Sequence, residues 1–269
     1  MFRLRYLTAA AALALSAPFA VTGANANNVT PNVIFGSGNA NGSFTVDQSD
    51  GVELGLRGKL RFNDSNQPEN TFNWDGGNTY TFEAGTPPTG FGFAANSPTT
   101  PVWNFEWSIN TDFMGSTGLN LDDLVYELSL DADPGAGTLF DVFDPINQPF
   151  ADHAIGDNTT GNGAGAVAGD ATTYSGLIAN NNVAQNSWSY EFFNDPGTQL
   201  AGFDPNVPGL YTIKLEAFDG NGASVAATSI DVKTVPVPGT ALLLAAALAA
   251  LGAGLGSRRL GRNAQVGAA

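Results

Sequence analysis

Cysteine is absent and histidine occurs once, at His153. Without thiols the chain has neither a disulfide framework nor a thiolate metal site. A single imidazole removes most histidine-based metal and triad chemistry. A domain of this size does not need stapling, so the lack of cysteine is compatible with export. Basic charge is also scarce: ten Lys and Arg stand against 25 Asp and Glu. Five of the ten lie at the ends, as Arg3, Arg5, Arg258, Arg259 and Arg262, whereas every acidic residue lies between Asp47 and Asp231. The middle therefore sets 25 acids against Arg57, Lys59, Arg61, Lys214 and Lys233, a net charge of about −20. Nucleic-acid binding rests on Lys and Arg neutralising phosphates, so a nucleic-acid partner is excluded. The acidity instead suits solubility, divalent cations or a cationic partner.

The two ends differ sharply from the middle. Arg3 and Arg5 precede an apolar run through Leu7 and Leu15 to Val21, which closes on Ala24-Asn25-Ala26. This is a secretory signal peptide over residues 1–26, with Ala24 and Ala26 as the small residues read by signal peptidase. At the other end Val235-Pro236-Val237-Pro238-Gly239 leads into an uncharged stretch of Leu, Ala and Gly that Arg258, Arg259 and Arg262 close. As a helix, Thr240 to Ser257 spans about 27 Å, enough for the hydrocarbon core. The prolines cannot sit inside that helix, so they fix its start and leave an extended stalk. Arginines just after the span stay in the cytoplasm as a stop-transfer signal, which puts the acidic body outside. The signal peptide demands the same orientation.

Residues 234–269 resemble a PEP-CTERM sorting signal, in the proline motif, the single apolar span and the arginine cluster together. The motif Val235 to Gly239 is nearest to the VPLPA-CTERM variant, with Val237 where leucine or glutamate is usual. The resemblance implies a Gram-negative source and recognition by an exosortase-type membrane transpeptidase. It further implies cleavage near the proline motif and delivery to the cell surface or an extracellular matrix, often beside exopolysaccharide.

The whole chain is 43% hydrophobic, and its middle, residues 27–233, reads as one ordered domain. Trp103, Phe105, Trp107 and Ile109 alternate with polar residues, as do Leu124, Tyr126, Leu128 and Leu130, and Leu54, Leu56, Leu60 and Phe62. Each pattern predicts a strand with one buried and one wet face. Shorter strands are expected at Ser43 to Asp47, Thr79 to Glu83, Thr138 to Phe143 and Trp188 to Phe193. A terminal hairpin runs from Tyr211 through Asp219-Gly220-Asn221-Gly222 back to Val232. It resembles the last hairpin of PKD-like and other immunoglobulin-like extracellular domains. One helix is predicted over Thr173 to Ala184, and Asp131 to Asp170 reads as long surface loops. About nine strands and little helix predict an all-β, antiparallel β-sandwich of jelly-roll or immunoglobulin-like type, followed by the single transmembrane helix.

Carboxylates are the one abundant catalytic group. Glu83, Glu106 and Glu127 each fall on a predicted strand, and a glycosidase needs two carboxylates facing across a cleft. Strand carboxylates on a wet face are ordinarily just solvated. Ser116, in Gly115-Ser116-Thr117-Gly118, lacks a nucleophile elbow, and His153 beside Asp152 reads as an exposed histidine. Asp131, Asp133, Asp141 and Asp144 offer hard oxygens around a turn, for calcium or for capping backbone N–H groups; no other cofactor is expected. Arg57, Lys59 and Arg61 form a basic stripe that meets either an acidic polysaccharide or carboxylates on the neighbouring strand. These observations describe an exported structural or adhesive protein and no enzyme. The alternatives are a carbohydrate-binding module, requiring exposed aromatics among Trp74, Trp103, Trp107 and Trp188, and a polysaccharide-cleaving enzyme.

Overall fold

The computed structural model describes residues 32–237, apart from 37, 64, 66–68 and 88–98, together with Gly239. The signal segment, Pro238, the apolar span and the terminal arginines lie outside the described residues. No helix among the described residues is long and apolar enough to cross a membrane.

Among the described residues eleven strands form two sheets packed over one core. The first sheet has the order β1 (Thr45–Ser49), β2 (Val52–Leu60), β4 (Trp103–Asn110), β9 (Val183–Trp188), β7 (Ala154–Gly156) and β8 (Ala166–Val167). The second has β3 (Thr79–Glu83), β11 (Ser224–Val235), β10 (Gly209–Phe218), β5 (Val125–Asp131) and β6 (Phe140–Phe143). All pairings are antiparallel except β3 with β11. This is a β-sandwich with two antiparallel-rich sheets, as the alternation predicts.

The core follows from period two. Leu54 and Leu56 of β2 and Phe105, Trp107 and Ile109 of β4 face Leu128 and Leu130 of β5 and Ile213 and Leu215 of β10. All are fully buried, and each large apolar side chain removed from water contributes about 1.5–3 kcal/mol. The sheets approach so closely at Gly58 that a Cβ there would lie 2.8 Å from Tyr80 Cβ. The β10–β11 hairpin turns at Asp219, whose carboxylate accepts from the N–H groups of Asn221 and Ala223 while Gly222 takes φ +79°.

Four expectations are corrected. The helix α1 runs over Ala171–Ile178, not Thr173 to Ala184. Asp170 caps its start through the Thr173 N–H, and the amides of Asn180 and Asn181 take the Gly176 and Leu177 carbonyls at its end, freeing Val183 to begin β9. The strand expected over Trp188 to Phe193 stops at Trp188; Tyr190–Phe193 is a 3-10 turn capped by Ser189. Asp131 to Asp170 is not all loop: besides β6, which matches the strand expected at Thr138 to Phe143, β7 and β8 lie there, and Ile146 and Ile155 are buried. Strands of two and three residues are too short to show alternation. Finally, β2 and β4 have no wet face: Glu53, Arg57, Lys59, Asn104, Glu106 and Ser108 are all buried.

Candidate functional site

The second buried face of β2 and β4 is explained by residues 32–36 and 38–44, which lie over the outer side of the first sheet. Gln185 of β9 pins it: its side-chain oxygen accepts from the Ile34 N–H at 2.7 Å and its amide donates to the Asn32 carbonyl at 3.2 Å. The Val33 and Ile34 carbonyls accept from Gly163 and Gly165. Phe44 packs where Gly55 has no side chain, 3.1 Å from a would-be Cβ.

Under this cover sits an ionic cluster. Register places Arg57 of β2 directly opposite Glu106 of β4, and the Arg57 Nε donates to Glu106 Oε2 at 2.5 Å. Arg57 Nη1 donates to the carbonyls of Ala40 at 2.9 Å and Gly42 at 2.6 Å. Phe44 and Phe72 cover the guanidinium, 4.2 and 4.3 Å from their ring centroids. Lys59 reaches Glu106 Oε1 at 3.7 Å and donates to Asn39. Burial lowers the pKa of Arg57, of Lys59 and of Arg61, and Glu106 opposes that shift in each. Of the two readings of the basic stripe, the structure fits neutralisation across the sheet for Arg57 and Lys59.

Beside the cluster the sheet opens into a groove. Strand β9 pairs with β4 as far as Trp188, but pairs with β7 only over Val183 to Gln185. Beyond that point β7 has left, and the free edge at Asn186, Ser187 and Trp188 borders a groove of about 1440 Å³. On the core side of the first sheet its lining is aromatic: Phe143, Trp188 and Phe193 are partly exposed, pack against the core and lie 5.2–6.0 Å from one another between centroids. Phe192 beside them is 48% exposed. Around the edge of β9, on the outer face of the first sheet, the lining is polar, with Lys59, Arg61, Asn104, Glu106 and Ser187. Asn104 is 5% exposed, and its Oδ1 has no hydrogen-bond partner while Nδ2 donates to Ser187 Oγ at 3.3 Å.

His153, expected at the surface, is 1% exposed. Its Nε2 bonds to the Pro145 carbonyl at 2.7 Å, its Nδ1 to the Asn186 amide at 3.1 Å, and Trp107 meets it edge to face at 4.8 Å. Burial lowers its pKa to about 4, so the ring is neutral.

The three strand glutamates do not converge. Glu106 lies in the first sheet beneath its cover, whereas Glu83 and Glu127 are exposed on β3 and β5 of the second. The four aspartates each bond backbone N–H groups: Asp131 takes Asp133 and Leu139, Asp133 takes Gly135, Asp141 takes Gln199 and Leu200, and Asp144 takes Tyr126, Ile146 and Asn147. Among the described residues no three His, Asp or Glu are grouped to hold a metal ion. Of the four tryptophans, Trp103 and Trp107 are core, Trp74 donates to Gly77, and Trp188 lines the groove.

No family model, no curated protein and no solved structure matches the chain. The groove was missed by sequence reasoning because it arises from the divergence of β7, which no local pattern records. The one available signal was the polar-then-aromatic run Asn186 to Phe193. Of the sorting motif, Val235 is the last residue of β11 and Pro236 and Val237 are exposed; Pro238 lies outside the described residues.

Proposed function

We propose that the chain is an exported surface or extracellular-matrix protein with a structural or adhesive β-sandwich body. In this reading signal peptidase removes residues 1–26, Thr240 to Ser257 forms a single transmembrane helix, and Arg258, Arg259 and Arg262 stop transfer. An exosortase-type transpeptidase then reads Val235 to Gly239. The body is a sandwich of jelly-roll or immunoglobulin-like kind.

One observation carries the reading: the ordered pair of ends, basic-apolar-small at the start and proline motif, uncharged span and arginines at the finish, flanking a body that holds all 25 acidic residues. The place where β11 stops supports it. The strand ends at Val235, and Pro236, Val237 and Gly239 are exposed, so an enzyme at the membrane can reach this part of the motif.

Mass spectrometry of the protein recovered from a host carrying an exosortase-type enzyme tests this. The expected mature chain begins at Asn27 and ends near the proline motif, and Pro236→Ala with Pro238→Ala leaves the C-terminal span attached. Recovery of every molecule with an intact span would overturn the processing.

A further inference from the structure

We propose that Lys59 and Asn39 are joined by an intramolecular isopeptide bond that forms spontaneously in the folded chain. The two side chains come from different layers. Lys59 rises from the outer face of β2, and Asn39 belongs to the cover above it. The Lys59 amine donates to the side-chain carbonyl oxygen of Asn39, so the electrophilic Cγ lies one bond beyond that contact. Asn104 stands directly opposite Lys59 in the strand register, yet its Oδ1 has no partner. The amine has turned from that amide to Asn39.

Three further features equip the pair for amide exchange. The first is a proton acceptor: Glu106 gives Oε2 to Arg57 and presents Oε1 to the Lys59 amine at 3.7 Å. The second is a dry site, in which the Lys59 side chain is 6% exposed and that of Glu106 1%. Burial lowers the Lys59 pKa, Glu106 opposes the shift, and Arg57 and Arg61 add to it. The third is a fixed amide. Asn39 Nδ2 donates to the carbonyls of Phe35 at 3.0 Å and Gly36 at 3.4 Å. A Cβ on Gly36 would stand 2.8 Å from Nδ2, so glycine leaves the room in which the amide lies. Holding amine, carboxylate and amide together replaces an encounter in solution by a step within one site.

The reaction balances without an oxidant, a cofactor or a second protein. Glu106 takes a proton from the Lys59 ammonium. The freed lone pair attacks Asn39 Cγ, forming the new C–N bond and moving the carbonyl π pair onto Oδ1. Glu106 then delivers its proton to Nδ2, the carbonyl re-forms, and the Cγ–Nδ2 bond breaks with its electron pair on nitrogen. The extra proton on the new amide nitrogen returns to Glu106 and leaves with the ammonia as ammonium. One buried charge is thereby removed, and Arg57 remains as the counterion of Glu106. The bond fastens the cover to the sheet in a chain that has no cysteine. It closes a ring between residues 20 apart, which constrains the unfolded chain as a disulfide does. Formation depends on the fold alone, so neither export nor sorting bears on it.

Mass spectrometry of the purified, folded full chain tests this, with digestion after Asp and Glu. The natural chain is expected to weigh about 17 Da less than its sequence requires, the mass of ammonia. The peptide ending at Asp47 is expected to be joined to the peptide from Leu54 to Asp64, although residues 48–53 separate them. Lys59→Arg keeps the charge without a primary amine, and Asn39→Ala removes the carboxamide; each is expected at full mass with no joined peptide. Glu106→Gln is expected to lower the joined fraction by about tenfold or more, and natural joining in that variant overturns the proton transfer. A folded natural chain at full mass, with no joined peptide, overturns the proposal. So does a loss of ammonia that Lys59→Arg retains, because succinimide formation at an asparagine releases the same molecule.

Discussion

Arg57 and Glu106 face each other across β2 and β4 with 2.5 Å between Nε and Oε2, and neither is more than 1% exposed. Such a pair repays its desolvation only through geometry and further hydrogen bonds. Here those come from the Ala40 and Gly42 carbonyls and two aromatic faces. The pair therefore ties the N-terminal cover to the sheet as well as joining two strands.

Breaking one side should be costly. Glu106→Leu leaves a buried guanidinium without its counterion and is expected to lower unfolding stability by about 3–5 kcal/mol. Arg57→Met with Glu106→Leu should recover part of this, with a coupling energy of about 1–3 kcal/mol. Urea denaturation of the four proteins measures both. Additive losses would show that the two residues stabilise separate structures.

Glu53 gives a pH dependence of one sign. It is 3% exposed, its Oε1 has no partner, and burial raises its pKa from 4.5 to about 7. The folded state holds this proton more tightly than the unfolded one. Its contribution is thus complete below pH 4.5 and lost as pH rises through about 7. The loss is on the order of 3 kcal/mol. Glu53→Gln should gain stability relative to the natural chain at pH 8 and gain little at pH 5. A constant difference across that range would show that Glu53 is ionised in the fold.

The sandwich was legible where alternation ran for seven residues or more, as at Trp103 to Ile109 and Tyr211 to Ala217. The hairpin turn was legible from Asp219 and Gly222, whose chemistry is local. The cover over the first sheet was not. Period two reports which residues share a face, and Glu53, Arg57 and Lys59 read as wet because charge is ordinarily outside. Distant residues at 32–36 and 38–44, together with Phe72, make that face interior. His153 was misread for the same reason, since Pro145 and Trp107, which enclose it, lie outside its local window.

His153 should act in the opposite sense to Glu53. Its pKa falls from 6.5 to about 4 on burial, so the folded state binds fewer protons than the unfolded state between those values. Its stabilisation is present above pH 6.5 and lost as pH falls through about 4. The change is on the order of 3 kcal/mol. NMR titration of this single imidazole measures the value directly. A midpoint near 6.5 would mean that the ring reaches water.

At Gly58 the two sheets approach closely. A Cβ there would stand 2.8 Å from Tyr80 Cβ and 2.9 Å from Phe82 Cε2. The Tyr80 Cβ is rooted in β3, and its ring is held by the hydroxyl's bonds to Ser43 and Thr45, so neither can yield by a rotamer change. Gly58→Ala therefore forces β2 and β3 apart and is expected to cost about 1–3 kcal/mol. Gly220→Ala is the control. No heavy atom lies within 4 Å of its Cβ and its φ is not positive, so it should stay within about 0.5 kcal/mol of the natural chain. Thermal unfolding of both variants checks the pair: equal melting temperatures would mean that the sheets are farther apart at Gly58 than this packing requires.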